Sequence, residues 1–207
     1  MVEILEAKVA MTAEEYLERE RNTLREDGGK HQYFKNKRIL MAGGTKKHDR
    51  IVSNIHGTLF IAISDDENYG LFTSEMRLLS VSKFKEYFYS DGAVVQGKPQ
   101  FADHYLDILT NPALIVEVLS KSTELFDRTD KFESYRELDS LNEYILVSQN
   151  QPYVEQFYKN SAGEWVVGHK LNSLDAILTL KNLPFQLPLN KIYQRVNFEE
   201  KEEEVSK

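Results

Sequence analysis

ALIVEVLSKSTELFDRTDKFESYRELD, residues 113–139, opens as an apolar strand and continues as a helix. Within the strand run stands one carboxylate, Glu117. Side chains alternate along a strand, so Ile115, Glu117 and Leu119 share one face and Val116, Val118 and Ser120 the other. An ionised carboxylate in such a setting is costly unless something pairs with it. Either Glu117 lies at a strand end and meets an arginine or solvent, or it binds a metal beside a second acid.

A second acid is present in EYFYSDGAVVQ, residues 86–96, where Asp91 follows aromatic residues and precedes small and apolar ones. Gly92 after it allows a bulge or a close backbone approach. Two strands that each carry one acid in an apolar run can place two carboxylates at adjacent strand ends. Such hard oxygen ligands suit Mg²⁺ or Mn²⁺. With a nearby lysine they suggest metal-assisted phosphodiester hydrolysis, the ion activating water and the lysine positioning it. Two lysines compete for that role. Lys121 shares the strand parity of Glu117 but falls where the strand ends, and Lys131 follows on the helix. By spacing alone, Lys131 reads as half of a surface pair with Asp127 at i,i+4, worth about 0.3–0.5 kcal/mol.

The chain around this stretch is an ordinary globular sequence of 207 residues, 41% hydrophobic and 29% charged, and its length suits one domain. It contains no cysteine, which excludes disulfides and thiolate chemistry. No apolar run reaches membrane-spanning length, and MVEILEAKVA lacks the features of a secretory signal. The expected compartment is the cytoplasm. Net charge is −7, against broad nucleic-acid binding, but it is uneven. Residues 30–50 hold seven basic residues against Asp49, a net of +6. That cluster reads either as a solvated face around a hairpin and a helix start, or as a phosphate-facing patch. Residues 199–207 carry five Glu against two Lys and are expected to form a disordered acidic tail after a single domain over 1–198.

A capping box at Thr12 and Glu15 predicts a helix over 12–22. GGKHQYFKNKRILMAGG predicts a hairpin turning near Asn36, and Ile51, Ile55, Leu59 and Ala62 mark a long helix that Thr45 caps. GLFTSEMRLLS, EYFYSDGAVVQ and ALIVEVLS each read as a strand, with a loop over 97–112. Residues 122–140 read as one helix, and further strands follow to a C-terminal half-turn. The expected class is mixed α/β or α+β, a sheet flanked by two main helices. His31, His56, His104 and His169 show no metal-ligand spacing, and no P-loop, G-x-S-x-G or G-x-G-x-x-G occurs.

The central stretch closely resembles a large bacterial family of restriction-endonuclease-like proteins in the PD-(D/E)XK nuclease superfamily. Matching residues are Glu117-Val118-Leu119-Ser120, Ser122-Thr123, Asp127, Lys131, Tyr135 and Glu143-Tyr144-Ile145-Leu146-Val147. The likeness extends upstream through MTAEEYLERE and YSDGAVV and downstream to about Tyr193. It implies a restriction-endonuclease-like core with a mixed sheet flanked by helices, acting as a Mg²⁺-dependent (or Mn²⁺-dependent) DNA endonuclease, commonly a homodimer. Asp91 and Glu117 would bind the metal, and Lys131 would be the catalytic lysine, moved from the strand to the following helix. His48 matches a family histidine at the start of the long helix, and Gln32 and Ser120 are accessory candidates. Two departures bear on this. Ser90 precedes Asp91 where the family has proline, and Gln32 with Lys35-Asn36 stands where it has a Glu followed by an Asp-Gly turn. Gln is a poorer cation ligand. The alternatives are a degenerate nuclease fold that binds DNA or a protein without cutting, and a dimeric module that binds no nucleic acid.

Overall fold

The computed structural model describes residues 10–22, 29–41, 43–81 and 84–199. The acidic tail over 200–207 lies outside the described residues. In chain order the elements are α1 (Ala13–Asn22), β1 (His31–Phe34), β2 (Lys37–Leu40), α2 (Lys46–Ile63), β3 (Tyr69–Thr73), β4 (Arg77–Val81), β5 (Lys85–Tyr89), β6 (Gly92–Gln96), β7 (Ile108–Leu109), β8 (Leu114–Leu119), α3 (Glu124–Arg128), α4 (Asp130–Arg136), β9 (Glu143–Ser148), β10 (Val154–Lys159), β11 (Trp165–Leu171), β12 (Ile177–Thr179), β13 (Gln186–Pro188) and α5 (Leu189–Ile192).

A six-stranded mixed sheet, ordered β11-β10-β9-β8-β6-β3, carries the quoted strand near its middle. β8 runs parallel to β9, from Leu114 opposite Glu143 to Leu119 opposite Ser148, and antiparallel to β6. Parallel neighbours need a crossover, and α3–α4 supplies it. All six residues of β8 are buried because both faces are covered, which is why the strand reads as a near-continuous apolar run. Val116 and Val118 pack with Ile51, Ile55 and Leu59 of α2, and Ile115 and Leu119 pack with Phe132 and Tyr135 of α4. Glu117 has the parity of Ile115 and Leu119, so it lies beneath α4.

A second sheet, ordered β2-β1-β5-β4-β7, stands beside the first. Two runs expected to be single strands each divide between the sheets. GLFTSEMRLLS breaks into β3 and β4 at a turn in which the Met76 N–H donates to the Thr73 carbonyl. EYFYSDGAVVQ breaks into β5 and β6 at Ser90-Asp91. Asp91 therefore sits where the chain passes from one sheet to the other, not inside a strand. The loop over 97–112 contributes the short strand β7, parallel to β4. The helix expected over 122–140 is two helices. Thr129, at φ −119° and ψ −96°, leaves helical geometry, and its hydroxyl donates to the Leu125 carbonyl.

Local sequence accounts for the helix starts and the hairpin. Thr12 and Glu15 form a reciprocal capping box, and Thr45 Oγ1 accepts the His48 N–H at the start of α2. Lys35 and Asn36 turn the hairpin with φ of 49° and 61°. Positive φ at both central residues matches the twist of the flanking strands.

Candidate active site

Where β8 passes beneath α4, the Lys131 ammonium is 2.8 Å from Glu117 Oε1 and 3.2 Å from Asp127 Oδ1. It also donates to the Tyr89 carbonyl at 3.0 Å. The three N–H groups of Lys131 thus have three acceptors, drawn from β8, α3 and the end of β5. Glu117, Lys131 and Asp127 are 3%, 3% and 4% exposed. The Asp127–Lys131 contact is the i,i+4 pair expected from spacing, but it is buried and not a surface pair. The tyrosine at 135, one turn along α4, adds a hydroxyl 3.3 Å from Glu117 Oε1, and Tyr144 holds the Asp127 backbone carbonyl at 2.8 Å.

Asp91 reaches the same strand from the sheet crossing. Its Oδ2 accepts the Val118 N–H at 2.7 Å, beside Glu117 in the chain. His48, in the first turn of α2, brings Nε2 to 3.3 Å from the same oxygen. His56, two turns along α2, contacts the Asp91 carbonyl through Nε2 and so fixes the backbone there. The N-cap hydroxyl of Thr45 donates to Gln149 Oε1 at 3.2 Å, tying the start of α2 to the residue after β9.

The electrostatics follow from burial and charge count. Burial, with Asp127 and Asp91 nearby, pushes the Glu117 carboxyl well above the usual carboxylate range despite Lys131. Burial opposes the charge on Lys131, but Glu117 and Asp127 outweigh it and hold the ammonium above its ordinary range. Burial likewise opposes the His48 imidazolium, and the Asp91 carboxylate outweighs it, so its pKa is raised. Glu117 and Asp127, both buried against one lysine, leave that cluster short of positive charge.

Among the described residues, no group of three or more His, Asp or Glu is arranged to hold a metal ion. The oxygens Asp91 Oδ1 and Glu117 Oε2 nevertheless make no hydrogen bond to a described residue. Two hard carboxylate donors fit an ion that takes the rest of its shell from water and phosphate, as Mg²⁺ does, and do not fit an all-protein cage.

Of the residues singled out in the sequence, the structure brings Asp91, Glu117, Lys131 and His48 together. Ser120 is not among them. Its hydroxyl closes the turn before α3, contacting Ser122, Thr123 Oγ1 and the Thr123 N–H. Gln32 is buried on β1 with Oε1 unpartnered among the described residues, on the face shared with Phe34, whose ring packs on Phe126 of α3. Lys121 lies exposed beyond β8. Sequence reading missed the burial of Asp127 and the contact of His56 with Asp91. For His56 the available signal was its position eight residues after His48 on one helix.

Comparison with known proteins gives concordant results. The sequence profile of the Uma2 family, described as "Putative restriction endonuclease", matches residues 13–191. The chain is 36% identical over 157 residues to the uncharacterized protein sll1609 of Synechocystis sp. (strain ATCC 27184 / PCC 6803 / Kazusa), covering 76% of this chain and 85% of that one. It is 31% identical over 194 residues to slr1290 of the same organism, also uncharacterized, covering 91% and 94%. Its fold is similar to the crystal structure of a "putative nuclease belonging to DUF820" from Anabaena variabilis ATCC 29413. The TM-score is 0.69 at 16% identity, covering 88% of this chain and 97% of that one.

Proposed function

Because the chain belongs to the Uma2 family of restriction-endonuclease-like proteins, we propose that it is a Mg²⁺-dependent DNA endonuclease that hydrolyses phosphodiester bonds. The observation that carries this reading is the buried Glu117–Lys131–Asp127 cluster beside the partly exposed Asp91 carboxylate. A surplus of buried negative charge is unfavourable in the free protein and favourable around a divalent cation.

In this reading Asp91 and Glu117 hold the ion. When bound, it lowers the pKa of a coordinated water and offsets charge on the scissile phosphate. His48 and the Val118 N–H orient Asp91. Lys131 keeps Glu117 in place and supplies the fixed positive charge for the transition state. To contact the attacking water it releases one of its three acceptors, and Asp127 at 3.2 Å is the longest of these. Cutting both strands of a duplex takes two sites, which a homodimer in the cytoplasm would supply.

A second reading, a non-cleaving module that binds DNA or a protein, is favoured by two observations. Every N–H of Lys131 already has an acceptor, and at Gln32 a neutral amide replaces the acid of the family pattern. A nicking assay on supercoiled plasmid separates the two. The nuclease reading expects Mg²⁺-dependent nicking that chelation stops and that Asp91→Ala, Glu117→Gln and Lys131→Met each abolish. Retained nicking in all three variants removes the assignment, and no nicking by the wild type favours the second reading.

A further inference from the structure

The basic cluster over residues 30–50 divides in the structure. Its hairpin part is largely neutralised by ion pairs, Lys30 with Glu75, Lys35 with Asp130 and Arg38 with Glu20. On α2 the situation differs. Lys47 and Arg50 are three residues apart and therefore neighbours on the helix surface, and neither side chain makes a hydrogen bond or ion pair with a described residue. His48, between them in the chain, points to another side of the helix and touches Asp91.

One turn further along α2, Asn54 Nδ2 donates to the carbonyls of Ile192 and Gln194, at 2.9 and 2.8 Å. That fastens the turn after α5 against this side of α2 and brings two more cations alongside, Lys191 and Arg195. Both are exposed, and neither side chain has a partner among the described residues. Arg195 has φ of 60°, a left-handed conformation that is unfavourable for a residue with a Cβ and that glycine would adopt without strain. In a chain of net charge −7, α2 and the turn fastened to it thus carry four cations that have no partner among the described residues.

We propose that α2 and this turn form a track for the phosphodiester backbone of the DNA substrate, with Lys47, Arg50, Lys191 and Arg195 as its phosphate contacts. The inference rests on the nuclease reading for its substrate, and it adds where the strand runs: from the site along α2 to the turn after α5. Lysine and arginine contacts of this kind position a strand without reading its sequence.

The test is fluorescence anisotropy of a labelled DNA duplex with the full chain, without divalent cation, across a salt series. The variant combines Arg50→Ala with Arg195→Ala. The control, Lys98→Ala with Lys181→Ala, removes the same charge from exposed lysines at the other end of the sheet. Lys98 follows β6, and Lys181 precedes Asn182, whose N–H binds Glu143 at the start of β9. The track predicts that the first variant binds roughly tenfold or more weakly and loses about two from the salt slope, while the control changes neither. Equal behaviour of the two double variants overturns the track. Plasmid nicking with Mg²⁺ in parallel keeps this separate from the nuclease reading. A wild type that binds through the track and never cuts removes the nuclease and keeps the track. A wild type that cuts, with the first variant binding like the control, does the reverse. A wild type that neither binds nor cuts removes both.

Discussion

Lys131 Nζ lies 2.8 Å from Glu117 Oε1, although fourteen residues and a break between two helices separate them in the chain. The strand places the acid beneath the helix, and the returning helix places the base above it. Both are buried, so each acts on the other's charge state: Lys131 favours the Glu117 carboxylate against burial, and Glu117 favours the Lys131 ammonium.

Lys131→Met leaves Glu117 and Asp127 buried without their cation. Removing one partner of a buried pair costs roughly 3–5 kcal/mol. The cost depends on pH. A carboxyl whose folded pKa lies above its unfolded value contributes stability that is fully present below the unfolded pKa and is lost as pH rises through the folded one. Glu117 already has a raised pKa, and losing Lys131 raises it further. Urea unfolding should show the variant close to wild type in acid and increasingly destabilised as pH rises. A penalty independent of pH contradicts this account of the pair.

His48→Ala removes a hydrogen-bond partner of a proposed metal ligand and leaves the core intact, since His48 is only partly buried. Losing such a supporting partner costs roughly 10–100-fold in metal affinity or activity. Nicking measured against Mg²⁺ concentration should shift to higher concentration by that factor with little change in the unfolding midpoint. An unchanged Mg²⁺ dependence removes His48 from the site.

Asp107, just before β7, ties α1 to the start of β4. It accepts two hydrogen bonds from Arg21, at 3.0 and 2.6 Å, and one from Arg77 at 2.6 Å. Partial burial opposes its charge, but the two guanidinium groups outweigh it and its pKa is lowered. A depressed folded pKa gives stability that is present above the unfolded value and lost as pH falls through the folded one. Asp107→Asn should therefore cost about 1–2 kcal/mol at neutral pH, a figure moderated by solvent screening, and the difference should close in strong acid. A difference that persists there would falsify the ionic origin.

Gly168 on β11 meets a buried polar network. A Cβ at this position would lie 2.5 Å from Gln156 Oε1 and 3.0 Å from its Cδ. Gln156 cannot swing aside without cost, because its Nε2 donates to Glu143 Oε2 at 2.8 Å and its Oε1 accepts the His169 N–H. Gly168→Ala should cost about 1–3 kcal/mol in unfolding free energy, through overpacking and a weakened partner for buried Glu143. A neutral result would mean that the strand shifts to make room.

Much of this architecture is legible in the sequence. β8 and β9 announce themselves as apolar runs, the threonines at 12 and 45 mark helix starts, and the parity of Glu117 fixes the face it occupies. The sequence is silent on which sheet a strand joins. A buried run of aromatic and apolar residues stands on both sides of Ser90-Asp91, so the passage between sheets leaves no local trace. Burial of the Asp127–Lys131 pair is hidden for a related reason. An i,i+4 spacing is the same on a solvated helix as on one packed over a sheet, and only the strands beneath decide between them. Neutralisation of the hairpin part of the basic cluster likewise depends on Glu20, Glu75 and Asp130, which are not its sequence neighbours.

The central claim is that Glu117 is kept in its apolar strand to bind a cation. Isothermal calorimetry with Mn²⁺ tests it, comparing wild type with Glu117→Gln, each alone and with a short DNA duplex to complete the shell with phosphate. The variant should stay folded, since Lys131 keeps Asp127 and the Tyr89 carbonyl as partners. Saturable binding by the wild type that disappears in the variant is the predicted result. No binding by a folded wild type even with DNA present, or equal binding by both proteins, contradicts the claim.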